Sequence, residues 1–293
     1  MKKTLHLATK KIDLRVTKIM GELVVSNSDT FSVDAYVEEA RKIAESGAEL
    51  LEIGMPREDC NDNLQAEEQC LIPVVKAIST AVPKLIIGVA TSSPKIMELA
   101  NVSGASLLID FNALRCEGAL ETVAKLQLPV MLTFDPFIIP QDDPVAAVSE
   151  FLYERIDACL NAGIPRRNLL IDPNLGTINK FDARLKIFGR LASFKSFALP
   201  ISVAIPRCLP YADNFLMENK SASISLGIFC ADRGVNIIRT AHVAEMALAL
   251  ATWQLVTKTA RPYQLSKSII SRFRKMRNKF RERKRNAQEN RRE

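Results

Sequence analysis

Short apolar runs rich in β-branched residues alternate along nearly the whole chain with longer segments of helical period, and this repeat constrains the fold most strongly. In the first pair, Ile19–Val25 has the composition of a buried strand. The segment Asp34–Ser46 follows, with Ala40 and Ala44 on one helix face. The seven later predicted strands are Leu50–Gly54, Leu85–Ala90, Ser106–Phe111, Pro129–Phe134, Asn168–Asp172, Ile201–Ile205 and Asn236–Arg239. The sequence therefore contains eight strand–helix units.

Strands that are apolar on both faces are typical of a parallel sheet covered by helices. Eight consecutive units predict an α/β fold, a closed (β/α)8 TIM barrel, with a doubly wound open sheet as the alternative. No GxGxxG turn follows any predicted strand, which argues against the dinucleotide-binding form of the open sheet. The first 15 residues predict a short N-terminal hairpin, which we expect to close the bottom of the barrel.

Positive charge is concentrated at the C-terminal end. The formal net charge is +7 at pH 7. Between Ser271 and Glu293 lie eleven Lys or Arg and three Glu, a net charge of +8, so the remaining chain carries −1. We therefore predict a barrel domain over residues 1–260 and a basic helical tail over residues 261–293.

The predicted tail has a helical pattern. Ile269, Phe273, Met276 and Phe280 recur at steps of four and three residues, which places one apolar stripe on an otherwise basic helix. Such a helix is typical of an arm that lies on an anionic membrane surface or binds nucleic acid. A solvated extension without a partner is the other interpretation, because most charge runs are exposed.

Composition excludes several classes of protein. Hydrophobic residues make up 47% of the chain, so the sequence is not disordered throughout. No apolar run reaches the ~18–20 residues that cross a bilayer, and residues 1–10 lack a signal peptide's apolar segment. We expect a cytoplasmic protein, with membrane-surface association through the tail as an option. Six scattered cysteines and two histidines predict reduced thiols and no metal site.

In such a barrel the chemistry lies in the loops that follow the strands, so polar residues there are the candidate site. Asp110 lies near the end of the fourth predicted strand and Asp172 ends the sixth, while Arg207 follows the seventh and Arg239 ends the eighth. The two arginines either form an anion cradle or pair with Asp110, Asp172 or Asp135 and neutralise the mouth.

The loops also resemble those of a known family. Met20–Asp34, MGELVVSNSDTFSVD, resembles the dihydropteroate synthase signature MG-x-x-N-x-TPDSFSDGG. Four later segments resemble the family's in order and spacing: SGAELLEIG (46–54), AGIPRRNLLIDPNLG (162–176), LPISVAIPRC (199–208) and NIIRTAHVAE (236–245). The resemblance covers residues 4–257 and implies a pterin-binding TIM barrel of folate biosynthesis.

Enzymes of that family join a pterin-methyl diphosphate to p-aminobenzoate and release diphosphate. The resemblance implies that Asp172 contacts the pterin edge, because a carboxylate accepts two N–H bonds in a fork. It also makes Asp110, Arg207 and Arg239 candidate substrate contacts. It assigns no catalytic residue and no metal ligand.

At several positions where the family has a polar residue, this sequence has an apolar residue or a cysteine. Its polar residues fall on Val24, Ala90, Ile109 and Cys208. Because each lost buried hydrogen-bond partner costs about 1–3 kcal/mol, the sequence predicts a pseudoenzyme with little or no dihydropteroate synthase activity. We expect it to bind a pterin-like, phosphorylated or other anionic small molecule.

Three further interpretations remain open, of which the first is a non-catalytic scaffold. An active transferase of changed specificity would use Asp172, Arg207 and Arg239 on another diphosphate or phosphate substrate. A methyl-pterin methyltransferase is less favoured, because it also needs polar groups where Ala90 and Ile109 stand. No cofactor is expected, and Mg²⁺ only if diphosphate chemistry is retained. Family members commonly dimerise, so the resemblance also allows a homodimer.

Overall fold

The computed structural model describes residues 4–7, 10–28, 30–56, 64–135, 143–175, 181–206 and 219–259. The chain divides into two units, residues 1–250 and 251–293, and the described part of the second unit is helical. Residues 261–293 lie outside the described residues, so the basic tail and the domain boundary at residue 260 stay predictions. Within the described part of the chain, no helix is long and apolar enough to span a membrane.

Strands and helices alternate as the sequence predicts. The described strands are β1 (Thr4–Leu7), β2 (Lys10–Asp13), β3 (Lys18–Val24), β4 (Leu50–Gly54), β5 (Ile86–Ala90), β6 (Leu107–Asp110), β7 (Val130–Thr133), β8 (Leu169–Asp172), β9 (Ser202–Ala204) and β10 (Ile237–Arg239). The described α-helices are α1 (Val33–Glu45), α2 (Leu64–Ala66), α3 (Ile72–Ala81), α4 (Pro94–Val102), α5 (Ala119–Leu126), α6 (Pro144–Asn161), α7 (Phe181–Gly189), α8 (Lys220–Asp232) and α9 (Val243–Thr259). A π-helical turn, Glu67–Leu71, joins α2 to α3.

Strands β3–β10 form one parallel sheet in the order β8-β7-β6-β5-β4-β3-β10-β9. A parallel bridge between Ile171 of β8 and Ile201, the residue before β9, joins the two ends of that sheet. The sheet therefore closes into a (β/α)8 barrel, which confirms the predicted fold class and excludes the open doubly wound sheet.

The N-terminal hairpin is also confirmed, since β1 and β2 pair in antiparallel register. The apolar interior contains Leu5, Leu7, Ile12 and Leu14 from the hairpin and its exit, packed with residues of the barrel strands. Asn236, directly before β10, donates its Nδ2 to the Leu14 carbonyl over 2.9 Å. The hairpin therefore covers the amino-terminal end of the barrel and leaves the carboxyl-terminal end for the site.

Polar caps start several helices where the sequence supplies short side chains with an acceptor oxygen. The Ser93 hydroxyl accepts from the Ile96 amide at the start of α4, and Pro94 occupies the first helical position. Asp143 likewise caps α6 and accepts from the amides of Val145 and Ala146. These caps fix where the chain leaves the mouth of the barrel and enters each helix.

Candidate functional site

Three of the four predicted site residues end parallel strands of one barrel and therefore lie at the same end of it. Asp110 ends β6, Asp172 ends β8 and Arg239 ends β10. The fourth, Arg207, lies outside the described residues, as does Cys208. The predicted substrate contacts of Asp110, Asp172, Arg207 and Arg239 stay predictions.

The structure brings Asp172 and Arg239 together. Arg239 donates from Nη2 to Asp172 Oδ2 in an ion pair. Asp172 is fully buried and Arg239 is 2% exposed. The second Asp172 oxygen, Oδ1, accepts from the Asn174 amide over 2.7 Å. Arg239 thus adopts the ion-paired arrangement that was the alternative to an anion cradle.

A second carboxylate holds the same guanidinium. Arg239 donates from Nη1 to Glu52 Oε2 over 2.6 Å, and Glu52 keeps 14% of its side chain exposed. Strand side chains alternate between faces. Leu51 and Ile53 belong to the outer core between sheet and helices, so Glu52 faces the interior.

A third carboxylate, Glu22 of β3, contributes to the same charge cluster. Burial alone would lower the pKa of Arg239, but the nearby carboxylates of Asp172, Glu52 and Glu22 outweigh burial and raise that pKa. The guanidinium is therefore permanently charged and surrounded by negative groups. The sequence reasoning missed Glu22 and Glu52 because both lie inside strands assigned to the core. The signal for them was a single acidic residue within an otherwise apolar strand.

Buried polar atoms next to this cluster have no hydrogen-bond partner among the described residues: Thr133 Oγ1, Asn174 Oδ1 and Arg239 Nε. Thr133 is the register partner of Asp172. Asn174 adopts a left-handed conformation, with φ of 54°, and uses its Nδ2 to donate to the Phe134 carbonyl over 2.8 Å. Because an unsatisfied buried polar group costs about 1–3 kcal/mol, these atoms mark a place for a ligand or ordered water.

Asp110 has a different environment, in which its acceptors are already used. Its Oδ1 accepts from the Ser92 hydroxyl over 2.5 Å and from the Asn112 amide over 2.8 Å. Its Oδ2 accepts from the Leu114 amide over 2.9 Å. Burial raises the pKa of Asp110, against the opposite effect of these hydrogen bonds. Asp110 therefore organises the loop after β6, in which Ala113 and Leu114 have positive φ.

The other side of the mouth is apolar. Val24, Gly54, Ala90, Ile109 and Met131 are successive cross-strand partners from β3 to β7. The interior is therefore apolar at this level from β3 to β7, whereas the polar cluster combines Asp172 of β8 and Arg239 of β10 with Glu22 and Glu52, which lie two residues before Val24 and Gly54 on their strands. Such an arrangement suits a small, flat heterocycle that needs hydrogen bonds along one edge only.

Residue types that bind metals, and cysteines, are spread through the described part of the chain. Among those residues, no group of three or more His, Cys, Asp or Glu side chains is arranged to hold a metal ion. The described cysteines carry no disulfide, and burial raises the pKa of Cys159 and of Cys230 to about 12. These two thiols are therefore protonated at neutral pH and unsuited to nucleophilic chemistry.

Comparisons with known proteins identify the relatives of this barrel. A family described as pterin binding enzyme matches residues 19–241. The dihydropteroate synthase of Escherichia coli strain K12 is 30% identical over 260 residues, which cover 82% of this chain and 91% of that enzyme. The solved dihydropteroate synthase of Xanthomonas albilineans with 4-aminobenzoic acid has a TM-score of 0.80 at 30% identity, and the match covers 88% of this chain and 99% of that one. The same enzyme in complex with 7,8-dihydropteroate has a TM-score of 0.76 at 30% identity, covering 87% of this chain and 98% of that one.

Proposed function

This chain belongs to the pterin-binding enzyme family, and from that premise we propose that it binds a pterin-like ring at the barrel mouth with little or no dihydropteroate synthase activity. The observation that carries the proposal is the buried Asp172 carboxylate beside polar atoms that lack partners among the described residues. The relative from Xanthomonas albilineans in complex with 7,8-dihydropteroate supports the ligand class.

The polar side of the mouth matches the edge of an aminopyrimidine ring. Such an edge presents N–H donors together with ring-nitrogen or carbonyl acceptors. Asp172 and Asn174 Oδ1 supply acceptors for the N–H groups, while Arg239 Nε supplies a donor for a ring acceptor. The apolar side, with Ala90 and Ile109, contacts the ring's face. Burial of both sides strengthens the hydrogen bonds by excluding water.

The proposed loss of activity follows from the charge that the reaction develops. Departure of diphosphate leaves negative charge that a catalyst must stabilise with positioned donors or cations. Arg239 already pairs with Asp172 and Glu52. The positions of Val24, Ala90 and Ile109 offer no polar side chain. Each missing buried partner costs about 1–3 kcal/mol, so the combined loss slows the reaction strongly.

The full-length protein should gain thermal stability from 6-hydroxymethylpterin yet form no dihydropteroate from pterin-methyl diphosphate and p-aminobenzoate. A ligand that binds only the native state adds about 2.7 kcal/mol at a concentration of 100 times its Kd. Differential scanning fluorimetry and a radiometric product assay measure the two quantities, with the Escherichia coli enzyme as positive control. Normal turnover would establish the active transferase instead. Absence of any pterin-dependent shift would refute the binding proposal.

For the basic tail we propose a separate role as an arm that contacts an anionic partner, membrane surface or nucleic acid. Deleting residues 266–293 should abolish binding to phosphatidylserine vesicles or to RNA and leave the melting temperature of the barrel nearly unchanged. Vesicle co-sedimentation and RNA filter binding at several salt concentrations test this, because phosphate contacts weaken steeply with salt.

The apolar stripe distinguishes the two partners. The double variant Phe273→Ala, Phe280→Ala should lose vesicle binding, since insertion needs apolar area, but retain RNA binding. If the shortened chain binds vesicles and RNA as tightly as the full-length chain, the tail is not a binding arm. The remaining interpretation is then a solvated extension without a partner.

A further inference from the structure

We infer that Arg155 is a positioning residue for ligand binding: it holds a strained turn after β6 and thereby keeps the Phe111 ring beside Arg239 in the barrel mouth. This inference rests on the proposed function and adds to that site a residue from the helix layer outside the sheet. Arg155 lies in α6, which packs against β7 and against the helices α5 and α7. Its side chain is buried, since the residue is only 9% exposed.

The guanidinium of Arg155 donates to backbone carbonyls of the loop after β6. Its Nε donates to the Ala113 carbonyl over 2.8 Å and its Nη2 to the Leu114 carbonyl over 3.1 Å, which lie 42 and 41 residues away in the chain. Within the described part of the chain, its ion-pair partner is Glu154, 4.0 Å from Nη1 and 76% exposed. Such an exposed pair contributes little. Because burying a guanidinium is unfavourable unless its N–H groups are bonded, the two carbonyls are what holds Arg155 in this position.

The two carbonyls belong to a turn with unusual backbone geometry. Ala113 and Leu114 adopt consecutive left-handed conformations, with φ of 49° and 60°. A residue with a Cβ disfavours this conformation, so it persists only where neighbouring groups hold it. Leu114 is held from both sides, because its amide donates to Asp110 Oδ2 over 2.9 Å and its carbonyl accepts from Arg155. Asp110 and Arg155 therefore fix the turn together.

Phe111 is the residue between Asp110 and this turn, and its side chain reaches the polar cluster of the mouth. Its ring is partly buried against the apolar interior of the barrel. The central guanidinium carbon of Arg239 lies 5.6 Å from the ring centroid, which is within the range of a cation–π contact. A flat heterocycle whose edge meets Asp172 and Arg239 Nε then has an aromatic surface beside it.

Loss of Arg155 should therefore weaken ligand binding although Arg155 itself does not touch the ligand. Without its two hydrogen bonds the strained turn relaxes, and Phe111 samples other conformations. Binding must then include the entropy cost of ordering the ring again. The expected loss in affinity passes through Phe111, and this property separates a positioning role from a general loss of stability.

The experiment is a double-mutant cycle in the full-length chain with Arg155→Met, Phe111→Leu and the variant that carries both changes. Isothermal titration calorimetry measures the affinity for 6-hydroxymethylpterin. Each single variant should bind about tenfold more weakly than wild type, which corresponds to about 1.4 kcal/mol. Because Arg155 acts through Phe111, the double variant should lose little more than either single variant. Losses that add to about a hundredfold, or wild-type affinity in Arg155→Met, would overturn the inference.

Arg115→Met is the matched control, because Arg115 belongs to the same loop and also donates to one of its carbonyls, that of Asn112, over 3.2 Å. Its side chain is 39% exposed and pairs with Asp135, so it does not hold the buried turn. Its pterin affinity should equal that of wild type. An equal loss in Arg115→Met and Arg155→Met would show that any change to the loop weakens binding, and would overturn the specific role of Arg155.

Hydrogen exchange followed by mass spectrometry distinguishes a failure of this inference from a failure of the proposed function. Without any ligand, the amides of residues 110–116 should exchange faster in Arg155→Met than in wild type, with the amides of β4 as the reference for global stability. If the wild type binds no pterin, the proposed function fails. Faster exchange then still supports the dependence of the turn on Arg155, and unchanged exchange overturns it.

A second variant keeps the test decisive if Arg155→Met does not fold. Arg155→Lys keeps the positive charge but offers a single nitrogen in place of the planar fork that reaches two carbonyls. We expect it to fold and to bind 6-hydroxymethylpterin more weakly than wild type. A loss of affinity supports the inference, and wild-type affinity overturns it.

Discussion

Arg239→Met should lower the free energy of unfolding by about 3–5 kcal/mol, because the change leaves a carboxylate buried without its cation. Asp172 has no exposed surface, so water cannot replace the lost partner. Glu52 loses its 2.6 Å hydrogen bond from the same side chain. Methionine keeps much of the apolar volume of arginine, so the lost stability reflects the missing positive charge rather than a cavity. Urea unfolding followed by circular dichroism at pH 7 measures the effect as a lower midpoint.

Arg115→Met is the matched control for that experiment. Arg115 forms an ion pair with Asp135 over 2.5 Å, but 39% of its side chain is exposed. Exposed pairs typically contribute about 0–1 kcal/mol, so this variant should unfold close to wild type. Equal losses in the two variants, or a loss below about 1 kcal/mol in Arg239→Met, would show that the buried network does not depend on the guanidinium.

Asp172→Asn is expected to weaken binding of 6-hydroxymethylpterin by about 10- to 100-fold. The amide keeps the shape of the carboxylate but offers one acceptor oxygen and a donor that opposes the ring's N–H groups. Hydrogen bonds to a charged group contribute about 1.5–3 kcal/mol, and 1.4 kcal/mol is a factor of ten in affinity. Calorimetry on the purified variant measures the change, and its melting temperature shows that it is folded.

Asp135→Asn controls for the loss of an acidic residue at the same end of the barrel. Asp135 follows β7, the strand next to β8, but pairs with Arg115 rather than with the polar cluster. Its pterin affinity should equal that of wild type. A folded Asp172→Asn variant with unchanged affinity would place the pterin site elsewhere in the molecule.

The helices and strands were predictable from local pattern. The predicted strand Leu50–Gly54 is identical to β4, and predicted Leu85–Ala90 differs from β5 by one residue. The predicted helix Asp34–Ser46 is shifted by one residue from α1. The strands were predictable because they are short apolar runs rich in β-branched residues, and the helix because its apolar residues recur at the helical period.

The candidate site was predictable only in part. Its position at the strand ends follows from the barrel, and Asp172 and Arg239 were identified as candidates. The sequence did not decide whether Arg239 forms an ion pair with an acidic side chain or binds an anionic ligand, because both arrangements use the same residue types. Glu52 was not identified, because an acidic residue between two leucines and an isoleucine was counted as part of a buried strand. The same reasoning did not predict that the carboxylate oxygens of Asp110 accept hydrogen bonds from residues of neighbouring loops.

The sequence by itself determined the barrel, the hairpin that closes one end, and the concentration of a net charge of +8 in residues 271–293 beside a nearly neutral remainder. Those properties follow from periodicity and composition, which act over short stretches of chain. Only the tertiary structure decided that Arg239 meets Glu52, 187 residues away, together with Asp172, 67 residues away. Closure of the sheet brings these strands around one interior. Local sequence specifies which face of a strand is buried, but not which charges meet once the barrel has closed.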